Sequence, residues 1–279
     1  MSLQYLNCVR IAFVCAIQAT PTGDYHSHPS GVNRAPCRKT RNSTTMSSAP
    51  STQENQISKR DSPLPKITVG TSEEYIEKTA SVVSHAMLPS VIWGLFFGGG
   101  TGGTGSDALS DEERLQMYHS IVKQFLLPRA GSSAFIAEAG DFSACASWWP
   151  PGSHQPPKDV KDLNKLERQE GTLLAAFERE IQKVKIELIS SRYGQEFWHL
   201  ALLGRDPSKP ALRGAVRAVL QPIIDQAAAE GKPIWLTTTS EHARDIYLHF
   251  GWQVVRTVTV EGHHQWCMIL YPPYQGKAC

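Results

Sequence analysis

The sequence predicts an α/β domain over residues 66–279, preceded by a leader, residues 1–65, that does not fold by itself. Three observations predict this. Strand and helix signals alternate from Lys66 onward; the runs SAFIAEA and SACASWW, joined by a Gly-Asp turn, read as an antiparallel hairpin; and 41% hydrophobic residues in 279 are ample for a packed core.

The leader is set apart by composition. Ser, Thr, Pro and Asn dominate, seven Lys or Arg face three acids, and apolar periodicity is missing after Ile17. Such a segment cannot offset the entropy of ordering it. Its opening, MSLQYLNCVRIAFVCAIQA, carries a short apolar stretch behind Arg10, so a targeting segment is the alternative to a disordered leader.

Composition also excludes some function classes. A formal charge of +2 offers no bulk electrostatic attraction to nucleic acid or to an anionic membrane. The longest apolar runs, IAFVCAI and VIWGLFF, fall far short of the roughly 18 residues of a membrane span. The six cysteines are scattered and form no C-x-x-C pair. They read as reduced thiols in a cytoplasmic protein, with nuclear and organellar compartments open.

The elements follow in order. KITV reads as a strand. Thr71 with Glu74 forms a capping box opening a helix that carries Ile76, Ala80, Val83 and Met87 on one face. Ser110 with Glu113 forms another, and that helix runs to about Phe125. The hairpin comes next, closed by Pro150 and Pro151. Residues 158–192 place Leu163, Leu166, Leu173, Phe177, Ile181, Val184 and Leu188 on one stripe, a long amphipathic helical insertion bent near Gly171. Then come a strand (EFWHLALLG), a helix (211–230), a strand (PIWLTTT), a short helix (Glu241–Phe250) and two strands, QVVRTVTV and QWCMILY.

Two segments compete as a phosphate site. FFGGGTGGTG, with its glycine loop at 98–106, holds Gly100, Gly102 and Gly105 at the G-x-G-x-x-G spacing, and VIWGLFF before it can be taken as a strand. The helix behind it, however, opens with Asp107, Asp111, Glu112 and Glu113, which repel a pyrophosphate and already satisfy the helix dipole. RDPSKPALRGAVRAVLQPIID has the opposite electrostatics. No acid lies between Lys209 and Ile224, Arg213 and Arg217 flank Gly214 at a helix start, and Val216, Val219, Leu220, Ile223 and Ile224 supply a core face that holds the helix still.

The run LLGRDPSKPALRGAVRAVLQPIIDQAAAEGKPIWLTTTSEHARDIYLHFGW resembles, in unbroken order, the cofactor strand, pyrophosphate loop and helix, following strand and tyrosine helix of the GCN5-related N-acetyltransferase (GNAT) superfamily, particularly its fungal small-molecule-type members. The resemblance covers about residues 66–273. One feature departs from it. The family loop is Gln or Arg, two residues, Gly, one residue, then Gly or Ala; aligning Gly214 with the first glycine puts Ala211 and Val216 at the outer positions, and a register beginning at Lys209 puts Leu212 at the first glycine.

The resemblance implies a mixed, mostly antiparallel sheet whose parallel strands 4 and 5 splay to admit acetyl-CoA. It implies that pantetheine pairs with the edge at Leu202, Leu203, Gly204 and Arg205, that the amides of Arg213, Gly214, Ala215, Val216 and Arg217 hold the pyrophosphate, and that Ser240 contacts the cofactor. Tyr247 resembles the family's general acid, which protonates the departing thiolate; a buried anchor for its helix is the other role. Glu196 and His199, on opposite faces of the cofactor strand, are the candidate general bases. The implied reaction moves an acetyl group to a primary amine of a small molecule or peptide bound between the 88–110 link, the 150–175 insertion and the last two strands, with the glycine loop as a mobile gate. Trp148 and Trp149 either line that pocket or close the sheet. His263, His264 and Cys267 alternate faces in a terminal strand, which favours structural roles over a metal site.

Two rivals stay open. One is a noncatalytic member that keeps the fold and binds CoA or a protein partner; the other is an NAD-dependent oxidoreductase using the glycine loop.

Overall fold

In the computed structural model, which describes residues 63–97, 109–130, 134–153 and 173–273, the chain begins with β1 (Ile67–Val69), α1 (Glu73–Met87), α2 (Val91–Phe96) and α3 (Asp111–Ala130). The hairpin β2 (Phe135–Ala139) and β3 (Ala144–Trp149) follows, then α4 (Leu173–Lys185), which a π turn (Ile186–Ser190) and a last turn (Ser191–Tyr193) prolong. The second half is β4 (Trp198–Arg205), α5 (Ala215–Glu230), β5 (Ile234–Thr238), α6 (Glu241–His249), β6 (Gln253–Val260) and β7 (His263–Leu270). The leader through residue 62, the glycine loop and the front of the helical insertion lie outside the described residues.

Local chemistry explains most of these boundaries and corrects two expectations. The Ser110–Glu113 capping box forms, with Ser110 N–H donating to Glu113 Oε2 at 2.8 Å and Glu113 N–H to Ser110 Oγ at 3.2 Å. At α1, by contrast, Ser72 is the cap and its Oγ accepts from Tyr75 N–H at 3.2 Å, while Glu74 pairs with Lys78 at 2.9 Å, so the Thr71–Glu74 box is replaced by a cap one residue later. VIWGLFF is the helix α2 and not a strand, because Ser90 Oγ caps it by accepting from Trp93 N–H at 3.3 Å. The glycine loop therefore lacks the preceding strand that a dinucleotide fingerprint requires.

The seven strands among the described residues join one sheet in the order β1-β2-β3-β4-β5-β7-β6, antiparallel everywhere except β4–β5. That parallel pair is in register only at Trp198↔Ile234 and His199↔Trp235, although the strands run on to Arg205 and Thr238. Past His199 the two strands part.

A bulge in β4 sits just beyond the parting. Across from it, consecutive residues Trp148 and Ser147 pair with Leu200 and Leu202, so Ala201 is the extra residue. Its effect on the side chains is visible in the packing. Leu200 and Leu203 join the core under α5 and α6, whereas Ala201 and Leu202 both join the core under α1 and α3. Strict alternation would have sent 201 and 202 to opposite faces.

The sheet is thus buried on both sides. One face packs α5 and α6 through Ala215, Ala218, Val219, Leu220, Ile223 and Tyr247; the other packs α1, α3 and α4. Each fully buried Val, Leu or Ile contributes about 1.5–3 kcal/mol, and Trp148 Nε1–H donates to Val219 O at 3.2 Å across that interface. The start of α5 is therefore fixed relative to the end of β4.

Candidate active site

The parting of β4 from β5 and the loop that carries β4 into α5 lie at the same, C-terminal end of β4. Leu202, Leu203, Gly204 and Arg205 are all buried, and they pair on one edge with Ser147, Ala146, Cys145 and Ala144 of β3. Their other edge has no strand partner among the described residues. Gly204 is required for packing: a Cβ there would lie 3.0 Å from Val83 Cα of α1.

The loop from β4 to α5 is tied down by polar contacts. Lys209 Nζ donates to Asp141 O at 2.6 Å, Asp206 N–H donates to Ser143 O at 3.2 Å, and Asp206 Oδ1 accepts from Ser208 N–H at 2.9 Å. Gly214 ends the loop in the left-handed region, φ 84°, where a side chain is disfavoured and a Cβ would meet Leu64 Cδ2 at 3.1 Å. Ala215 N–H is taken by Leu212 O at 3.2 Å, and Ala218 N–H by Gly214 O at 2.8 Å. The N–H groups of Gly214, Val216 and Arg217 have no main-chain acceptor among the described residues, as the first turn of a helix dictates. No acid occupies that turn. Of the five expected amides, Ala215's is thus already engaged.

The side chains around this helix start divide unequally. Arg213 is exposed, and Arg217 lies over the Phe250 ring at 5.5 Å. Arg205, only 8% exposed, shares the α5 face with Leu203, since Gly204 between them faces α1. Its Nη2 is buried and makes no hydrogen bond among the described residues. A buried guanidinium nitrogen without an acceptor is costly, and an anion would relieve that cost. The sequence drew attention to the Arg205 backbone; the charge under the loop is visible only once the bulge sets the strand's faces.

Tyr247 is fully buried in the same core as Leu200, Leu203 and Ala215, edge-on to Trp252 at 5.6 Å. Ser240 caps α6, its Oγ accepting from Ala243 N–H at 3.2 Å, which leaves the hydroxyl proton able to donate.

The two candidate bases do not come together. His199 is 3% exposed on the α1/α3/α4 face, at the last rung where β4 and β5 still pair, and stands beside Trp149. Trp149 stacks on Phe125 at 5.7 Å, with the Arg129 guanidinium over both rings. Glu196 corrects the sequence expectation: it precedes β4, is exposed, and ion-pairs with Lys232 at 2.9 Å. The tight turn around Gly194 and the bond from Trp198 N–H to Pro233 O start the strand two residues after it, at the closed end of the parting. The hydrogen bond to Glu196 holds Lys232 above the usual lysine range.

Sequence reading missed the polar side chains that share the sheet face of His199. Ser147, Thr237 and Gln265 are all buried, and Trp149 rather than Trp148 stands at this face, since Trp148 packs under α5. The signal available was two threonines in an otherwise apolar strand. Among the described residues no three His, Cys, Asp or Glu side chains are grouped to hold a metal. Cys267 is buried, which pushes its thiol up to about 12, and His264 Nδ1 meets Thr259 Oγ1 at 2.9 Å. No helix among the described residues is long and apolar enough to cross a membrane.

No family model matches the chain. It is 26% identical over 160 residues to an uncharacterized N-acetyltransferase, C550.08, of Schizosaccharomyces pombe, a match covering 51% of this chain and 62% of that protein. A segment of 60 residues is 37% identical to a Saccharomyces cerevisiae protein named for increased recombination centers, covering 22% of this chain and 38% of that protein. The chain therefore spans less than two thirds of either curated relative it matches. Among solved structures it superposes on a Corynebacterium glutamicum protein described as histone acetyltransferase HPA2 and related acetyltransferase, with a TM-score of 0.50 and 15% identity over 75% of this chain and 97% of that one. At that identity the likeness shows the fold.

Proposed function

Taking as premise that this chain has the GNAT fold, we propose that it is an acyltransferase that moves an acetyl group from acetyl-CoA to a primary amine of a small molecule or peptide. One observation carries the reading: β4 and β5 stop pairing after His199↔Trp235, and β4 then runs on into an acid-free helix start whose N–H groups at 214, 216 and 217 have no main-chain acceptor among the described residues. The name of the fission-yeast relative agrees with it.

The residues divide the work as follows. The unpaired edge of β4 from Leu202 to Arg205 offers main-chain groups to pantetheine. The N–H groups of Gly214, Val216 and Arg217, the helix dipole at about 0.3–1 kcal/mol per charge, and the Arg205 guanidinium hold the diphosphate. A primary amine of pKa about 10.4 costs roughly 4–5 kcal/mol to deprotonate at pH 7; His199 accepts that proton, directly or through one water. As the N–C bond forms and the C–S bond breaks, the Tyr247 hydroxyl donates its proton to the leaving thiolate, and the second proton that the nitrogen sheds on becoming an amide restores the phenol. Ser240 donates to the cofactor from the α6 cap.

Thiol release from acetyl-CoA with a panel of amines tests this. Wild-type protein is expected to release thiol with at least one amine, and Tyr247→Phe to release it much more slowly with coenzyme affinity kept. Val216, where the family loop ends in Gly or Ala, favours a second reading, a module that binds CoA without turnover; coenzyme binding without thiol release from any amine supports that reading instead.

A further inference from the structure

We propose that the Thr237 hydroxyl donates a hydrogen bond to the oxygen that turns negative when the amine attacks the thioester, and that Gln265 is the positioning residue that aims it. This inference rests on the acyltransferase reading above. Thr237 lies in β5 two residues beyond Trp235, the last β5 residue paired with β4, so it stands on the wall of the parted strands. It pairs with Cys267, which packs in the same core as Trp235 under α4, and Trp235 pairs with His199. His199 and Thr237 therefore share one face, on the two sides of the parting.

The polar chemistry at this position is not a packing requirement. Thr237 is fully buried on the apolar face it shares with Trp235 and Cys267, where valine would fill the same volume and suit a strand as well. Gln265, also buried, donates Nε2–H to Thr237 Oγ1 at 3.1 Å. That bond occupies one hydroxyl lone pair and turns the hydroxyl proton away from Gln265. No acceptor for the proton is found among the hydrogen bonds of the described residues. The result is a donor of fixed direction in a water-poor setting, the property that makes a hydrogen bond effective at a developing charge.

The reaction places such a charge at the parting. Amine attack forms the N–C bond and moves the carbonyl electron pair onto oxygen; collapse restores the carbonyl and expels the thiolate. Thr237 keeps its proton throughout and only donates a hydrogen bond, opposite the main-chain groups of the β4 edge.

The test compares kcat and KM for an amine that wild-type protein acetylates, with coenzyme affinity measured by calorimetry and folding by thermal melting. Thr237→Val is expected to lower kcat about 10²–10³-fold with KM and coenzyme affinity kept, and Thr237→Ser to restore most of it. Gln265→Glu, which keeps the threonine but draws its proton toward the carboxylate, is expected to lower kcat as well. If Thr237→Val melts early, the Gln265→Glu and Thr237→Ser pair decides. Wild-type kcat in both Thr237→Val and Gln265→Glu overturns the Thr237 assignment alone. Wild-type protein that binds coenzyme yet acetylates no amine overturns the acyltransferase reading, and this inference with it.

Discussion

His199 stands edge-on to Trp149, with ring centroids 4.8 Å apart and planes at 84°. The two residues are also register partners across β3 and β4, so the contact is built by the sheet itself. An imidazole held this way has its plane fixed at the point where the parallel strands separate. His199→Gln is expected to lower kcat by about 10²–10⁴-fold and to flatten the acidic limb of the pH–rate profile. Glu196→Gln, which breaks only the surface pair with Lys232, is expected to leave kcat unchanged. Steady-state kinetics across pH for both variants checks the assignment, and the reverse pattern contradicts it.

The buried guanidinium of Arg205 yields a prediction with opposite signs for binding and stability. Arg205→Met removes a charge-assisted hydrogen bond to the diphosphate, worth about 1.5–3 kcal/mol, so the Kd for CoA should rise roughly 10- to 100-fold. The ligand-free variant should melt at or above the wild-type temperature, because methionine fills similar space without a buried, unpaired charge. Calorimetry and melting on the same preparation read both signs. An unchanged Kd contradicts the role given to Arg205.

Lys185 provides a pH-dependent test of packing at the α4 end. Burial alone pushes its ammonium down to about 8, and the Nζ lies 5.2 Å over the Phe197 ring. In the unfolded chain the same group titrates near 10.4. Below pH 8 both states are protonated and the folded state carries the full penalty of a half-buried, partly desolvated cation; as pH rises from about 8 toward 10.4 the folded state sheds its proton first and the penalty fades. Lys185→Met is therefore expected to melt higher than wild type at pH 7, with the two curves converging near pH 10–11. A difference that stays constant over that range contradicts it.

How much of this was legible in the sequence differs residue by residue. The Ser110–Glu113 box, the hairpin, α5 and its acid-free start follow from local chemistry that the sequence displays. The α2 helix was not legible, since VIWGLFF is too short for periodicity to separate helix from strand, and its Ser90 cap decides. The bulge was hidden because Leu200, Ala201, Leu202 and Leu203 are all apolar and suit either face. With the bulge hidden, the face of Arg205 was unreadable. Glu196 was misplaced because EFWHLALLG reads as one extended run, while the strand starts where Trp198 finds a partner in Pro233, a contact set by the fold.

The central claim is that the start of α5 holds the diphosphate of coenzyme A. Calorimetric titration of the purified full-length protein with CoA tests it most directly. Saturable single-site binding that weakens as salt is raised is the expected result; an absence of binding heat and of any thermal shift at saturating coenzyme would contradict it.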